Sequence, residues 1–203
     1  MIGLYLSFLW YNLFGDYMKI INSNFRDYDR KYVLCKDEDI IKNLDIKLSV
    51  PFIGYLYIDH INGISLRLVG DKNNKLIDGI PYIFRYDDIK DIDFEIVNNN
   101  IEEFDKLMDN YYKDKEIIDV REIEEIDKFR LNSNPDIIEI EIEDKSKREK
   151  LWGRVIGYKQ DSGIVCLLVN DSEIFDNLYR GNSVVCKYDS KLDKLIVMGK
   201  IDL

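Results

Sequence analysis

The chain has 203 residues, of which 46% are hydrophobic and 33% are charged. This balance is typical of a folded protein with one large domain or two small ones, and it excludes an extensively disordered chain. The formal net charge of −10 disfavours direct binding to nucleic acid, because phosphate groups repel a negative surface. The three scattered cysteines do not make a disulfide framework, and they predict a reducing, cytoplasmic environment.

The longest apolar run of the chain covers residues 1–14. It is shorter than the roughly 20 residues that a membrane-spanning helix needs, and it lacks the basic region and small-residue cleavage site of a signal peptide. We therefore expect no membrane partner. Three interpretations stay open: a buried core element, an oligomer contact of a scaffolding subunit, or an extension upstream of a translation start at Met18.

The first part of the chain, up to about residue 97, shows mostly the pattern of β-strands, with strands expected at residues 32–35 and 80–86 and a polar helix at residues 37–44. The clearest signal is Asn62-Gly63, a preferred two-residue hairpin turn, between two β-rich runs. Pairing outward from this turn places Ile61 opposite Ile64, His60 opposite Ser65 and Tyr57 opposite Leu68.

The middle of the chain predicts one strand and two helices. Apolar and acidic residues alternate over residues 91–96, which indicates a strand with one buried face and one carboxylate face. A first helix is expected after Asn100, whose spacing to Glu103 is typical of a capping box. A second is expected at residues 120–131, where one apolar stripe is formed by Val120, Ile123, Ile126 and Phe129.

The polar segment at residues 132–135 ends the second helix and predicts a domain boundary. Five short strands are expected after it, at residues 137–142, 151–158, 163–169, 183–188 and 195–201. They predict a small SH3-like or OB-like β-barrel. The expected fold class is therefore α+β: an acidic domain of residues 1–135, with a mostly antiparallel sheet and two or three helices, followed by a barrel domain of residues 136–203.

The acidic residues are concentrated in one stretch, residues 87–127, which holds sixteen of them against five basic residues. Such a local excess predicts a surface that attracts a basic protein target. The AT-rich codon usage indicated by the absence of Ala and Thr is the competing explanation for part of the excess. The candidate partner-binding residues are Asp87, Asp88, Asp91, Asp93, Glu95, Glu102, Glu103, Asp105, Asp109, Glu122, Glu124, Glu125 and Tyr112.

Catalytic motifs are not evident in the sequence. The single histidine, His60, lies beside a predicted turn and has no recognisable nucleophile motif to serve, so a structural role is favoured. No phosphate-binding loop or zinc motif is present, and we expect no cofactor and no catalytic residues. The alternative is a metal-dependent enzyme in which the carboxylates of Asp87, Asp88, Asp91, Asp93 and Glu95 bind a divalent cation.

Three short segments of the C-terminal third resemble a small β-barrel domain of uncharacterised bacterial proteins, some of which are associated with toxin–immunity systems. The segments are Leu151-Trp152-Gly153-Arg154-Val155, Val169-Asn170-Asp171-Ser172 and Arg180-Gly181-Asn182-Ser183-Val184. Ser172 stands where that family has Pro, and Asn182 where it has Asp. The resemblance implies an immunity or inhibitor role, and it supplies no catalytic residues.

These observations together predict a non-enzymatic, cytoplasmic bacterial inhibitor of a basic protein target. The favoured target is a toxin, which would make the chain an immunity protein. An anti-CRISPR-type inhibitor, whose acidic face imitates nucleic acid in a guide-RNA-binding effector, would have the same electrostatics and is the closest alternative.

Overall fold

The computed structural model describes residues 17–42, 50–71, 82–98, 102–159 and 163–201. Their contacts divide the chain into two units, Met1–Leu107 and Met108–Leu203. The fold is α+β, with an antiparallel sheet in the first unit and a closed β-barrel in the second, as the sequence predicts. The apolar run at residues 1–14 and the predicted helix cap at Asn100 lie outside the described residues. Within these residues, no helix is both long and apolar enough to cross a membrane.

In the described part of the first unit, six strands form one sheet in which all neighbours are antiparallel. The strands are β1 (Tyr17–Lys19), β2 (Lys31–Cys35), β3 (Phe52–Asp59), β4 (Gly63–Asp71), β5 (Ile83–Arg85) and β6 (Asp93–Val97). Their order across the sheet is β1-β6-β2-β3-β4-β5. The predicted strand at residues 80–86 is shorter than expected, because Tyr86 already begins a helix.

Both faces of this sheet are covered, which is why the central strand β3 is an almost unbroken apolar run. Short helices are present at Phe25–Tyr28 (α1), Tyr86–Ile89 (α2) and Glu102–Met108 (α3), with 3₁₀ turns at Ile20–Asn22 and Asp39–Ile41. On one face, Leu56 belongs to a buried cluster with Tyr28 of α1 and Ile89 of α2. On the other face, the ring of Phe104 in α3 contacts Tyr55, at 5.4 Å between ring centroids.

The predicted hairpin is present, but its predicted register is wrong. Ile58 pairs with Ile64 and Tyr57 with Ser65, so the loop has three residues rather than two. The Asp59 carboxylate causes the difference, since one of its oxygens accepts hydrogen bonds from the backbone N–H groups of the second and third loop residues. Gly63 then takes the positive φ of 78° that closes such a three-residue loop.

The described strands of the second unit are β7 (Arg130–Leu131), β8 (Asn134–Asp144), β9 (Lys147–Lys159), β10 (Gly163–Leu168), β11 (Ser183–Asp189) and β12 (Lys194–Ile201). Strands β8 to β12 pair antiparallel in sequential order, and β12 closes the barrel against β8 by a parallel pairing of Ile196 with Glu141. The five predicted barrel strands are therefore confirmed. Their inward side chains, such as Ile140, Val155 and Cys166, fill the barrel.

The predicted helix at residues 120–131 is wrong. Helix α4 (Lys115–Arg121) covers only the first two residues of this range, and a 3₁₀ helix (Glu124–Phe129) follows. The apolar stripe is compatible with this outcome, because Ile123, Ile126 and Phe129 recur at intervals of three residues, the period of a 3₁₀ helix.

Helix α4 packs on the barrel, and this packing determines where the units divide. Val120 belongs to the barrel core, and the Glu116 carboxylate accepts a hydrogen bond of 3.0 Å from the backbone N–H of Tyr158 in β9. A Cβ at Gly157 would lie 2.7 Å from the same carboxylate, so a larger residue there would displace the carboxylate from this position. The second unit therefore begins at Met108, whereas the boundary expected after Pro135 falls within β8.

Candidate functional site

The first group of predicted carboxylates surrounds helix α2. Asp87 is almost fully exposed and lies 3.3 Å from the Lys90 ammonium group. Asp88 accepts a hydrogen bond of 2.9 Å from the backbone N–H of Arg85, and thereby caps the helix. Asp91 is exposed in the turn that precedes β6, and not in the strand itself.

Strand β6 shows the predicted alternation, with Phe94 fully buried between two acidic residues. Both of these acids have cationic neighbours: Asp93 lies 3.7 Å from the ammonium group of Lys19, and Glu95 lies 2.6 Å from that of Lys36. The described residues include no group of three or more His, Cys, Asp or Glu arranged to bind a metal ion. The convergence of carboxylates that the metal-enzyme alternative requires is therefore not found at this strand.

The predicted acids of helix α3 are also engaged. The Glu102 carboxylate pairs with Lys106 one turn later, at 2.6 Å. Asp105 accepts a hydrogen bond of 2.6 Å from the hydroxyl of Tyr32 and so links the helix to the sheet. Glu103 lies in the same helix, and its side chain is outside the described part of the structure.

The second unit carries four predicted carboxylates of a different kind. Asp109, Glu122, Glu124 and Glu125 are all exposed, and none of them forms an ion pair with any residue that the structure describes. No ion pair with the described residues therefore neutralises their charge, and these exposed side chains present it to solvent. Asp109 lies in the 3₁₀ helix Asp109–Tyr112, and the three glutamates lie at the end of α4 and the start of the next 3₁₀ helix.

Tyr112, the aromatic residue among the predicted partner contacts, is half-buried. The guanidinium carbon of Arg121 lies 5.6 Å from the centre of its ring. Arg121 itself is buried and forms a two-point ion pair with Asp136, with N–O distances of 2.7 and 2.6 Å. Tyr112 thus stacks on a structural ion pair, which explains its limited exposure.

A second buried arginine completes this polar network, which the sequence does not predict. Arg130 donates to the backbone carbonyls of Val120 and Pro135, both at 2.6 Å, and to the Asp127 carboxylate at 2.9 Å. It thereby joins the Val120 carbonyl at the end of α4, which also accepts from the backbone N–H of Ile123 at 3.1 Å, to the Pro135 carbonyl in β8. The network ties the helical segment to β8 and has a structural role.

A groove of about 250 Å³ lies on the barrel at the junction of β8 and β12. Its lining includes Glu141, a buried carboxylate that pairs with Arg148 at 2.6 Å and with Lys194 at 2.9 Å. Lys150 pairs with Glu139 at 2.7 Å on the same wall. The opposite charges within these pairs neutralise each other. Because β8 and β12 share only one backbone pairing at this point, the ion pairs stabilise the closure of the barrel.

The three segments that carry the family resemblance come together at the loop between β10 and β11, residues 169–182. Asn170 accepts from the backbone N–H of Trp152 at 2.8 Å, Asp171 accepts from that of Arg180 at 2.7 Å, and Asn182 accepts from that of Tyr179 at 3.0 Å. These residues, of which Asn182 departs from the family pattern, therefore fix the path of one loop. Comparisons with protein-family models, with curated proteins and with solved structures found no match.

A carboxylate from the neighbouring hairpin strand β9 also holds this loop. Glu149 accepts hydrogen bonds from the Ser172 hydroxyl and from the backbone N–H groups of Glu173, at 2.8 Å, and Ile174, at 3.4 Å. Desolvation raises the pKa of Glu149, but these hydrogen bonds outweigh it, and the pKa lies below its usual value.

The remaining candidate groups are His60 and the three cysteines. His60 is half-buried in the hairpin loop. Cys166 and Cys186 are fully buried in the barrel core, and Cys35 is fully buried in the first unit. Burial raises the pKa of the Cys35 thiol to about 11, so it remains a neutral, poorly nucleophilic group.

Proposed function

We propose that this chain is a non-enzymatic inhibitor that binds a basic protein target, and that it acts as an immunity protein against a toxin. The observation that supports this proposal is the set of four exposed carboxylates in the second unit, Asp109, Glu122, Glu124 and Glu125, which have no ion-pair partner among the described residues. Uncompensated surface charge of one sign accelerates encounter with an oppositely charged partner and disfavours partners of the same sign.

The contributions of the two units to this function differ. In the first unit, Asp93, Glu95 and Glu102 already have lysine neighbours, so a partner's cation would have to compete for them. The three glutamates at residues 122–125 offer their charge without that competition. We therefore assign the main electrostatic contact to Glu122, Glu124 and Glu125, with the acids of the first unit in a supporting role.

The barrel of the second unit is consistent with a binding role. Strands β8 to β12 follow one another in sequential order around the barrel, which is a meander and not the Greek-key order of an OB fold. We accordingly infer an SH3-like barrel. Such a barrel is a scaffold for binding surfaces, and it does not by itself define an activity.

Partner capture tests the proposal. The tagged full-length chain would be incubated with lysate of the source cells, and bound proteins would be eluted by increasing salt and identified. We expect a basic protein that elutes as salt rises, because the Debye length falls to about 3 Å at 1 M. The enzymatic activity of that protein, measured with and without the chain, should be inhibited.

The matched variants carry equal changes in charge. In the test variant, Glu122, Glu124 and Glu125 become Gln, and in the control variant Glu38→Gln, Glu143→Gln and Asp144→Asn change exposed acids outside residues 87–127. We expect the test variant to weaken binding of the captured protein about tenfold, and the control to change it less than about twofold. Equal weakening by both variants, or a captured partner that is acidic, would contradict the proposal.

A further inference from the structure

The loop at residues 169–182 is longer than its position in the fold requires. Strands β10 and β11 are antiparallel neighbours that pair up to Leu167 and Ser183, and two to five residues suffice to join such strands. The backbone N–H of Leu168 donates to the carbonyl of Asn182 at 2.9 Å, so the two ends of the loop are adjacent. Compact surface loops of this size with neighbouring ends are often functional.

The loop is also rigid in its construction, although it contains no helix or strand. Its backbone is held by the side chains of Glu149, Asn170, Asp171, Ser172 and Asn182. Leu178 is buried in the barrel core, and Phe175 packs against that core. The loop therefore has a defined conformation.

Two large apolar side chains of the same loop are exposed. Tyr179 is 54% and Ile174 36% accessible to solvent, and the Tyr179 hydroxyl donates to the carbonyl of Asp176, which restricts the ring. Three exposed acidic residues share the loop with a single exposed arginine; the residues are Asp171, Glu173, Asp176 and Arg180. The surface therefore combines preorganised apolar groups with net negative charge.

We propose that this loop is a partner-binding surface for a basic protein, with Tyr179 and Ile174 inserted into an apolar recess and the surrounding carboxylates paired with lysine or arginine at its rim. Tyrosine is enriched at the energetic centre of interfaces. A side chain that is already fixed loses less conformational entropy on binding. The basic character of the partner rests on the proposed function, whereas the location of the contact does not.

A titration with defined peptides tests this proposal. The probe is a synthetic peptide of alternating lysine and leucine, and a lysine peptide of equal charge without leucine serves for comparison. Binding to the full-length, ¹⁵N-labelled chain would be followed by NMR. We expect the largest shifts at the amides of residues 171–182, and about tenfold tighter binding of the lysine–leucine peptide than of the lysine peptide.

Matched variants then identify the contact. The double variant Ile174→Ser, Tyr179→Ala should weaken binding of the lysine–leucine peptide at least about tenfold, while Leu192→Ser, Met198→Ser, which changes other exposed apolar residues, should leave it within about twofold. Tyr179→Phe keeps the ring but loses the hydrogen bond that restricts it, and it should weaken binding less than the double variant does. The dispersion of the NMR spectrum shows that each variant is folded.

The outcomes separate this inference from the proposed function. Both variants are compared for binding of the lysine–leucine peptide. If the charge variant at Glu122, Glu124 and Glu125 weakens this binding and the loop variant does not, the loop inference is overturned and the acidic inhibitor stands. If only the loop variant weakens binding, the loop inference stands and the role of the three glutamates falls. If neither variant weakens binding, or if the shifts lie outside residues 171–182, the loop inference is overturned.

Discussion

Among the individual residues of the second unit, Arg121 and Asp136 show how this chain handles buried charge. Each side chain is at most 3% exposed, and two isolated charges at such depth would cost several kcal/mol each. Two hydrogen bonds of 2.7 and 2.6 Å join the guanidinium group to the carboxylate, so the opposite charges compensate each other. The pair joins Arg121 of α4 to Asp136 of β8, and so it specifies how α4 packs on β8.

The three cysteines lead to a prediction about reactivity. All three are fully buried, and with a pKa of about 11 the Cys35 thiol is a thiolate in only about one molecule in a thousand at pH 8. We expect a thiol-specific reagent to label none of them within minutes in the native protein. After unfolding in guanidinium chloride, it should label all three.

The variant Met198→Cys provides the positive control, because residue 198 is 63% exposed and a thiol there should react at once. Rapid labelling of any natural cysteine in the native protein would show that the core opens readily. That result would contradict the buried, structural role assigned to Cys35, Cys166 and Cys186.

The strands and turns show what the sequence could and could not predict. The five barrel strands follow from local apolar patterns, so they could be predicted. The hairpin register could not, because it depends on the Asp59 carboxylate, which adds a residue to the loop that the Asn62-Gly63 pair alone suggests. Similarly, the end of α4 at Arg121 depends on a partner in β8 that lies fifteen residues further on.

The candidate site was predictable in its charge and not in its geometry. The sequence identified the acidic stretch, but local composition does not distinguish Glu95, which pairs with Lys36 just after β2, from Glu124, which has no ion-pair partner among the described residues. The loop at residues 169–182 was not predicted as a site, because its residues show no pattern in the sequence. Its polar residues form a pattern only when β9 and the loop are brought together.

The loop gives a prediction about pH. The pKa of Glu149 is lowered in the folded protein by hydrogen bonds from the loop, so its ionised form stabilises the native loop. This contribution is complete above the unfolded value of about 4.3 and is lost as the pH falls through the lower, folded value. Hydrogen exchange at the amides of Glu173 and Ile174 should therefore become less protected, relative to the barrel strands, as the pH falls below about 4.

The variant Glu149→Gln should reduce the protection of the same two amides at neutral pH, since a neutral amide oxygen is a weaker acceptor than a carboxylate. Its exchange should no longer depend on pH beyond the intrinsic chemistry. Glu143→Gln, an exposed acid on the neighbouring strand β8, is the matched control and should leave both amides unchanged. Equal protection in all three proteins would refute the anchoring role of Glu149.

Across the whole molecule, the acidic stretch and the structural units do not coincide. Residues 87–127 extend from the sheet unit into the barrel unit, whose first residue is Met108. The stretch therefore supplies acids to both units. The second unit holds ion-paired carboxylates, such as Asp119 and Asp127, together with the four that have no ion-pair partner among the described residues. A function based on the uncompensated charge belongs to the second unit, which also carries the loop at residues 169–182.

This assignment predicts how the chain can be divided. A fragment of residues 108–203 should fold by itself and show one cooperative thermal transition, because it contains the complete barrel core. A fragment of residues 136–203 should not, because it lacks Val120 and Ile126, which are at most 1% exposed in that core. Losing a large buried aliphatic side chain costs about 2–5 kcal/mol, a large share of the stability of a small domain. Circular dichroism on heating provides the measurement.

A point variant of the fragment of residues 108–203 tests a second contribution of the helical segment to the stability of the barrel, the buried ion pair. Arg121→Met leaves the Asp136 carboxylate buried without its guanidinium partner, and should lower the free energy of unfolding by about 3–5 kcal/mol. The double variant Arg121→Met, Asp136→Leu removes both charges and should recover much of that loss, since apolar replacements of a buried pair are often neutral or stabilising.

If residues 136–203 unfold cooperatively at the same temperature as residues 108–203, the helical segment contributes nothing to the barrel, and the boundary after Pro135 is the correct one.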